Sequence, residues 1–309
     1  MTPQGGDGLG DAARVAYVPP SALRRLLHNP VVIFGAVVLA LIVALGIAAP
    51  WLTDFDPVAI SPASRNQVTG AVETVRADDG SKVDRRHWMG TDSLGRDVAS
   101  RVFYGARVSL LVGISVAAIA IVIGTAIGVV AGYFRRLDGI IMRIMDGLMA
   151  IPGILLAIAL VSISTAGVAA VIIAIVVPEI PRVVRLVRSV VLSVRVEPYV
   201  EAAIAAGTRT GALIVRHILP STYSPLIVQA TYICATAILV EAILSFLGVG
   251  IPPQTPTWGN IMAEGRTLFR IYPHTVLWPG LFVGLTVLSI NVLGDGLRDT
   301  LDPRMHRQS

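Results

Sequence analysis

Ionisable residues inside apolar runs are where chemistry can sit in this chain, and Glu241 is the clearest of them. It interrupts an otherwise uncharged stretch at 226–248 and stands seven residues from its end, roughly 10 Å at about 1.5 Å per helical residue. A carboxylate in such a place is costly unless paired or wet. Two readings stay open: a group on a pathway through the protein, near its outer end and able to attract an amine, or a packing group hydrogen-bonded to a neighbouring helix. Arg143 and Asp146, three apart, can face each other on one helix and read as a structural pair. The single cysteine, Cys234, excludes a disulfide scaffold and any multi-cysteine zinc site, and reads as packing. The five histidines, at 28, 87, 217, 274 and 306, lack metal-ligand spacing, so no metal site is expected. A phosphate-binding P-loop needs Gly-Lys-Ser/Thr. The one lysine, Lys82, is followed by valine, so no ATP-hydrolysing motif is present. Neither catalytic residues nor a cofactor bound by this chain itself is expected.

The elements that must hold these residues are long and apolar. Of 309 residues, 54% are hydrophobic and 15% charged, against about a quarter charged in a soluble domain. An ordinary soluble fold is excluded, and so is a disordered chain, which needs low hydrophobicity. A membrane-crossing helix takes about 20 apolar residues. Spans are expected at 31–49, 108–134, about 139–162, about 166–184, 226–248 and 276–294. The third tolerates Arg143 and Asp146 in its first turns, and the chain turns at 162–165. The fold class is therefore an all-α membrane protein with six transmembrane helices. The first run is longer than a signal-peptide core and lacks a clean cleavage site, so it is read as retained. With both termini cytoplasmic, the basic residues divide 15 inside and 10 outside. Most of the outer ones lie in a long loop that weighs little in the positive-inside rule.

The chain divides into an N-terminal cytoplasmic tail (1–30), the first helix (31–49), an extracytoplasmic loop (50–107), a five-helix core (108–294) and a C-terminal tail (295–309). Residues 21–28 have the pattern of a short amphipathic helix on the inner membrane surface. Gly113, Gly124 and Gly128 read as allowing close helix approach. The cytoplasmic segment 182–220, set within the core, is the unusual one. Its arginines at 182, 185 and 188 form one stripe and read as a snorkelling anchor. Then comes Glu197-Pro198-Tyr199-Val200-Glu201-Ala202-Ala203-Ile204-Ala205-Ala206-Gly207. Pro198 suits a first helical position, the alanines favour helix and Gly207 suits a left-handed cap. A short, small-faced helix follows, able to sit closely in another protein's groove.

Glu201-Ala202-Ala203, with Gly207 and then Ile218-Leu219-Pro220, resembles the EAA loop of ABC-importer permeases. Gly90-Thr91-Asp92-Ser93-Leu94-Gly95-Arg96-Asp97, Glu241-Ala242-Ile243-Leu244-Ser245-Phe246-Leu247-Gly248 with Trp258-Gly259-Asn260, and Leu293-Gly294-Asp295-Gly296-Leu297-Arg298-Asp299 resemble segments of the dipeptide/oligopeptide (and nickel) permeases, C-type subunit. The resemblance runs from about 21 to 304 and implies a type I ABC importer fold in a bacterial inner membrane. It implies that Glu201, Ala202, Ala203 and Gly207 form a coupling helix docking on a separate ATPase, and that ATP and Mg are bound by partner subunits. Those partners would be two ATP-binding subunits, a second homologous permease and an extracytoplasmic substrate-binding protein, with membrane lipid around them and no nucleic acid. The cargo would be short peptides, or alternatively nickel or another small solute. The stretch 69–86 departs from the family in being longer and more charged than usual, which leaves its role open, contact with the binding protein being one use. A stand-alone secondary transporter would need several intramembrane ionisable groups, and span-interior charge is nearly limited to Glu241; an intramembrane enzyme would need a nucleophile and base.

Overall fold

The structure, a computed structural model, describes residues 29–76 and 82–301. The N-terminal tail with the helix expected at 21–28, the tip of the 69–86 stretch and the end of the C-terminal tail lie outside the described residues.

Helix α1 (Pro30–Leu52) opens at Asn29, whose side chain accepts from the Val31 N–H at 3.0 Å, with Pro30 at the first helical position. The loop that follows contains the one departure from the all-α expectation among the described residues. Strands β1 (Ala71–Arg76) and β2 (Lys82–His87) pair antiparallel, from Ala71 opposite His87 to Arg76 opposite Lys82. Val72, Thr74, Val75 and Val83 supply the β-branched residues that favour strand.

Helix α2 (Val98–Tyr133) begins ten residues before the uncharged run that predicted it. The Asp97 carboxylate caps it, accepting from the Ser100 N–H at 2.7 Å and hydroxyl at 2.8 Å. Arg107 is absorbed by donating to the Ile47 carbonyl at 2.8 Å. The expected third span is not one continuous helix. It is α3 (Arg135–Met149) and α4 (Gly153–Ser162), bent by 84° at Ala150-Ile151-Pro152. Pro152 lacks the N–H that would continue α3, and its ring opposes the preceding turn. Helix α5 (Val168–Val194) runs past its predicted end, carrying Pro178 and Pro181. Next come α6 (Pro198–Ala205) and α7 (Thr210–Leu213). A π turn (Ile214–Ile218) and a 3-10 turn (Leu219–Thr222) then lead into α8 (Tyr223–Phe246). Helix α9 (Trp258–Gly265) precedes α10 (His274–Leu301).

Four helical stretches are long and apolar enough to cross a membrane (30–52, 98–133, 210–246 and 274–300), and the bent α3–α4 pair makes a fifth if it counts as one span. Helix α5 falls outside that set because Glu179, Arg182 and Arg185 stand in its middle.

Helices α2 and α5 pack most closely. A Cβ on Gly124, Gly128 or Gly132 would lie 2.5, 2.8 or 2.7 Å from the Cβ of Val183, Val187 or Val191. The predicted close approach at Gly124 and Gly128 thus extends by one step. Gly113 does the same toward Ile238 of α8. One apolar core joins α2, α5 and α8 around Val116, Val187 and Ile233. A second joins α1, α2, α8, α9 and α10 around Ile42, Ile238, Trp258 and Val283.

Candidate functional site

Helix α6 is built as a projecting element on a fixed base. Val200 is fully buried beneath it, and the Tyr199 hydroxyl donates to the His217 carbonyl at 3.3 Å. Gly207 has φ +79°, the left-handed region that glycine enters without strain. The Gly207 and Thr208 N–H groups close the helix on the carbonyls of Ile204 (2.9 Å) and Ala203 (3.1 Å). What remains outward is Glu201, Ala202, Ala205, Ala206 and Gly207, with Ile204 54% exposed and Ala203 half-buried. Nothing lies within 4 Å of where a Cβ on Gly207 would stand. Among the described residues the Glu201 carboxylate has no hydrogen-bond or ion-pair partner. The arrangement suits docking: a small-residue surface with one apolar contact and one unpaired negative charge, rigidly footed on the membrane helices.

That footing continues through charge pairs. Arg182, Arg185 and Arg188 do not simply reach for solvent. Arg185 donates to Asp146 at 2.6 Å and Arg188 to Asp138 at 2.5 and 2.7 Å, clamping α3 to α5. The Arg143–Asp146 pair expected from spacing is thereby corrected. The bend brings α3 against α5, and Asp146 takes the closer guanidinium there.

Glu241 is completely buried where α8 meets α2 and α9. Ser245 donates to one of its oxygens at 2.8 Å and Ser109 to the other at 3.1 Å, with Thr257 also bonded to the carboxylate. Both carboxylate oxygens are thus held by hydroxyls, and the residue is fully enclosed. Trp258 and Asn260 are also tied to backbone carbonyls. The indole donates to the Val102 carbonyl at 3.0 Å, and the Asn260 amide ties down the loop before α9 through the Ile251 (3.0 Å) and Thr255 (3.1 Å) carbonyls.

The Gly90–Asp97 stretch anchors the loop by buried charge. Arg96 binds Asp92 at 2.8 Å and also Glu264 of α9, which Arg101 reaches at 3.3 Å. His87 lies between Asp97 (2.8 Å) and Glu73 (3.2 Å), with Phe55 stacked on its ring at 4.4 Å. Glu73 in turn receives the Ser61 and Ser64 hydroxyls. Burial alone works against the His87 imidazolium, but the hydrogen bonds and charges of Asp97 and Glu73 raise its pKa above 6.5. Burial also works against the Glu73 carboxylate, and Ser64, His87 and Ser61 together hold its pKa below 4.5. Among the described residues no group of His, Cys, Asp or Glu is placed to hold a metal ion.

Glu264 and Glu179 escaped the sequence reading. Glu179 of α5 is 5% exposed and, among the described residues, pairs only with Arg182, at 3.3 Å. It edges a cleft of about 320 Å³ between the α3–α4 bend, α5 and Thr236 and Val240 of α8. The two prolines flanking it, Pro178 and Pro181, were the available signal. Each removes a backbone N–H from the interior of α5 without ending the helix.

Comparison with known proteins places this geometry. Residues 101–307 match the family described as binding-protein-dependent transport system inner membrane component. Residues 21–68 match the N-terminal transmembrane domain of oligopeptide transport permease C. The chain is 50% identical over 288 residues to the "Probable peptide ABC transporter permease protein y4tQ" of Sinorhizobium fredii, covering 93% of this chain and 94% of that one. It is 40% identical to the dipeptide transport system permease protein DppC of Alkalihalophilus pseudofirmus, covering 92% and 89% respectively. In fold it is similar to a chain of the MetNI methionine ABC transporter in an inward-facing conformation. The TM-score is 0.54 at 20% identity, over 65% of this chain and 96% of that one.

Proposed function

The chain belongs to the family of binding-protein-dependent transport system inner membrane components, and from that premise we propose a peptide-importer permease driven through α6. It is a multi-pass inner-membrane protein and the permease subunit of its importer. Short peptides are its cargo on this reading, as the names of its relatives state for theirs. A second homologous permease completes the pathway. Two ATP-binding subunits bind ATP and Mg, and an extracytoplasmic binding protein delivers the peptide. The chain itself is non-catalytic. It crosses the membrane six times, counting α3–α4 and α5, in a type I importer arrangement with both termini in the cytoplasm.

The observation that carries this reading is α6. Its outward face is small and carries Glu201, which has no partner among the described residues, while its base is fixed on buried Val200 and, through α5, on the α3 clamps. A push on Glu201, Ala202, Ala203 and Gly207 by a closing ATPase pair is therefore passed to α5 and α8 as a rigid displacement. The spans then alternate between outward and inward openings.

The test is co-purification with the products of neighbouring genes. An ATPase is expected to co-elute with the chain and to be lost with Glu201→Arg, which reverses the one charge on the docking face. Retention of the ATPase by that variant overturns the docking assignment. Failure of any ATPase to co-elute with the wild type overturns the importer reading. Mass spectrometry of the ligand held by the binding protein reads the cargo directly.

A further inference from the structure

Among the described residues of α5, α8 and α9, the carboxylates of Glu179 and Glu241 are buried and that of Glu264 is partly buried, and they differ in whether the chain satisfies them. Glu241 is enclosed by the hydroxyls of Ser109, Ser245 and Thr257. Glu264 is held by Arg96 and Arg101. Glu179 is different. Its side chain is 7% exposed, yet one nitrogen of Arg182 is its only polar partner among the described residues, standing at 3.3 Å from each oxygen. A carboxylate offers about four acceptor sites, and a bidentate arginine would use two nitrogens on it. Arg182 uses one, and its side chain is 43% exposed and lines the cleft.

The surroundings of the pair are those of a binding site. Glu179 lies eleven residues into α5, roughly 16 Å from the helix start and so close to the middle of a roughly 30 Å hydrocarbon layer. Beside it the α3–α4 span is broken, and Ala150, Ile151 and Pro152 are exposed in non-helical backbone. Such backbone is tolerated at membrane depth only where protein covers it or where it lines a wet cavity. The cleft, about 320 Å³, adds Thr236 and the apolar walls of Ile175, Met149 and Val240. That size lies at the lower end of small-molecule sites.

We propose that this cleft is a station for the charged ends of a short peptide in transit. The α-ammonium of the peptide displaces Arg182 from Glu179, and the released guanidinium takes the peptide's carboxylate. One internal ion pair becomes two, so a cargo carrying both charges enters without stranding either residue. A cargo lacking the ammonium has nothing to displace Arg182 from Glu179, and one lacking the carboxylate leaves the released Arg182 without an acceptor. The station rests on the peptide-importer reading and adds to it a filter inside the membrane, separate from the binding protein.

The test uses the whole complex with its partner permease and ATPase in lipid nanodiscs, without the binding protein. The probe is an equimolar mixture of dipeptides, quantified by mass spectrometry. The wild type is expected to retain dipeptides, and Glu179→Gln to bind them about tenfold more weakly, as for loss of a charged hydrogen bond. N-acetylation of the mixture costs the wild type the same factor and costs Glu179→Gln nothing further; C-terminal amidation stands in the same relation to Arg182→Gln. The comparison of free with N-acetylated peptides needs only the wild type, so it holds even where a variant fails to assemble. Equal retention of free and N-acetylated peptides overturns the station. Uptake into vesicles with the binding protein present separates the two readings. Uptake by the wild type with no retention in nanodiscs removes the station and leaves the importer standing, whereas no peptide uptake at all removes both.

Discussion

At the scale of single residues, the same side chain type is used for different ends according to what surrounds it. Glu241 is the residue that sequence singles out, because it alone breaks an apolar run, yet its carboxylate is occupied by hydroxyls from α2 and α8. Glu241→Ala is expected to lower the thermal midpoint of the complex, by an amount equivalent to about 1–3 kcal/mol for the hydroxyls left without an acceptor. Glu241→Gln, which keeps an acceptor oxygen, retains peptide uptake. A Gln variant that unfolds no earlier than wild type but loses uptake would put Glu241 on the pathway instead. Glu179 was hidden by its position at the edge of an uncharged stretch and beside an arginine stripe. In sequence it looks like part of a helix end. Depth is a property of the helix boundary, and α5 ends at Val194, ten residues beyond where hydropathy placed the end of the span.

At the scale of elements, the α2–α5 contact is the most extensive helix pairing among the described residues. Its glycines face valines at every fourth position, and the missing Cβ atoms are what let the two helices touch. Gly128→Val is therefore expected to destabilise the chain by about 1–3 kcal/mol through overpacking against Val187. Val187→Ala should restore part of that loss, because it vacates the volume the new side chain needs. Thermal unfolding of the four proteins of this cycle measures the coupling. Additive effects would mean that the two residues do not share the contact. The G-x-x-x-G spacing made this ladder legible in sequence. The α3–α4 break was less so. Pro152 was visible, but the 84° turn is seen only with α3 and α4 packed on α5, and pairing between distant residues, such as Asp138 with Arg188, leaves no periodic trace.

At the scale of the whole molecule, the loop between α1 and α2 is docked on the helical body through titratable groups, so its attachment depends on pH. His87 has a raised pKa; its contribution is full below 6.5 and is lost as the pH climbs through the raised value. Glu73 has a lowered pKa; its contribution is present above 4.5 and is lost as the pH falls through the lowered value. Docking is thus strongest between the two. Amide hydrogen exchange in 61–97 of the intact complex, corrected for intrinsic rate, should show protection near pH 6 that declines in alkali. His87→Asn should remove the alkaline decline. Protection that is flat from pH 6 to 9 in the wild type would show that His87 stays neutral.

Sequence alone determined the membrane class, most of the apolar helices, the short helix at Pro198 with its Gly207 cap, and the family resemblance. These follow from composition, helical period and local backbone chemistry, which act over a few residues and are written in the order of the chain. It determined neither which buried carboxylates are satisfied nor where the third span breaks, and it gave no hint that the Gly90–Asp97 stretch is a buried charge network. Much of this depends on partners far along the chain, such as Asp146 with Arg185, 39 positions apart, and Arg96 with Glu264, 168 apart. Only the packed chain brings such groups within hydrogen-bond reach, and an ionisable side chain takes its role from the groups it meets there.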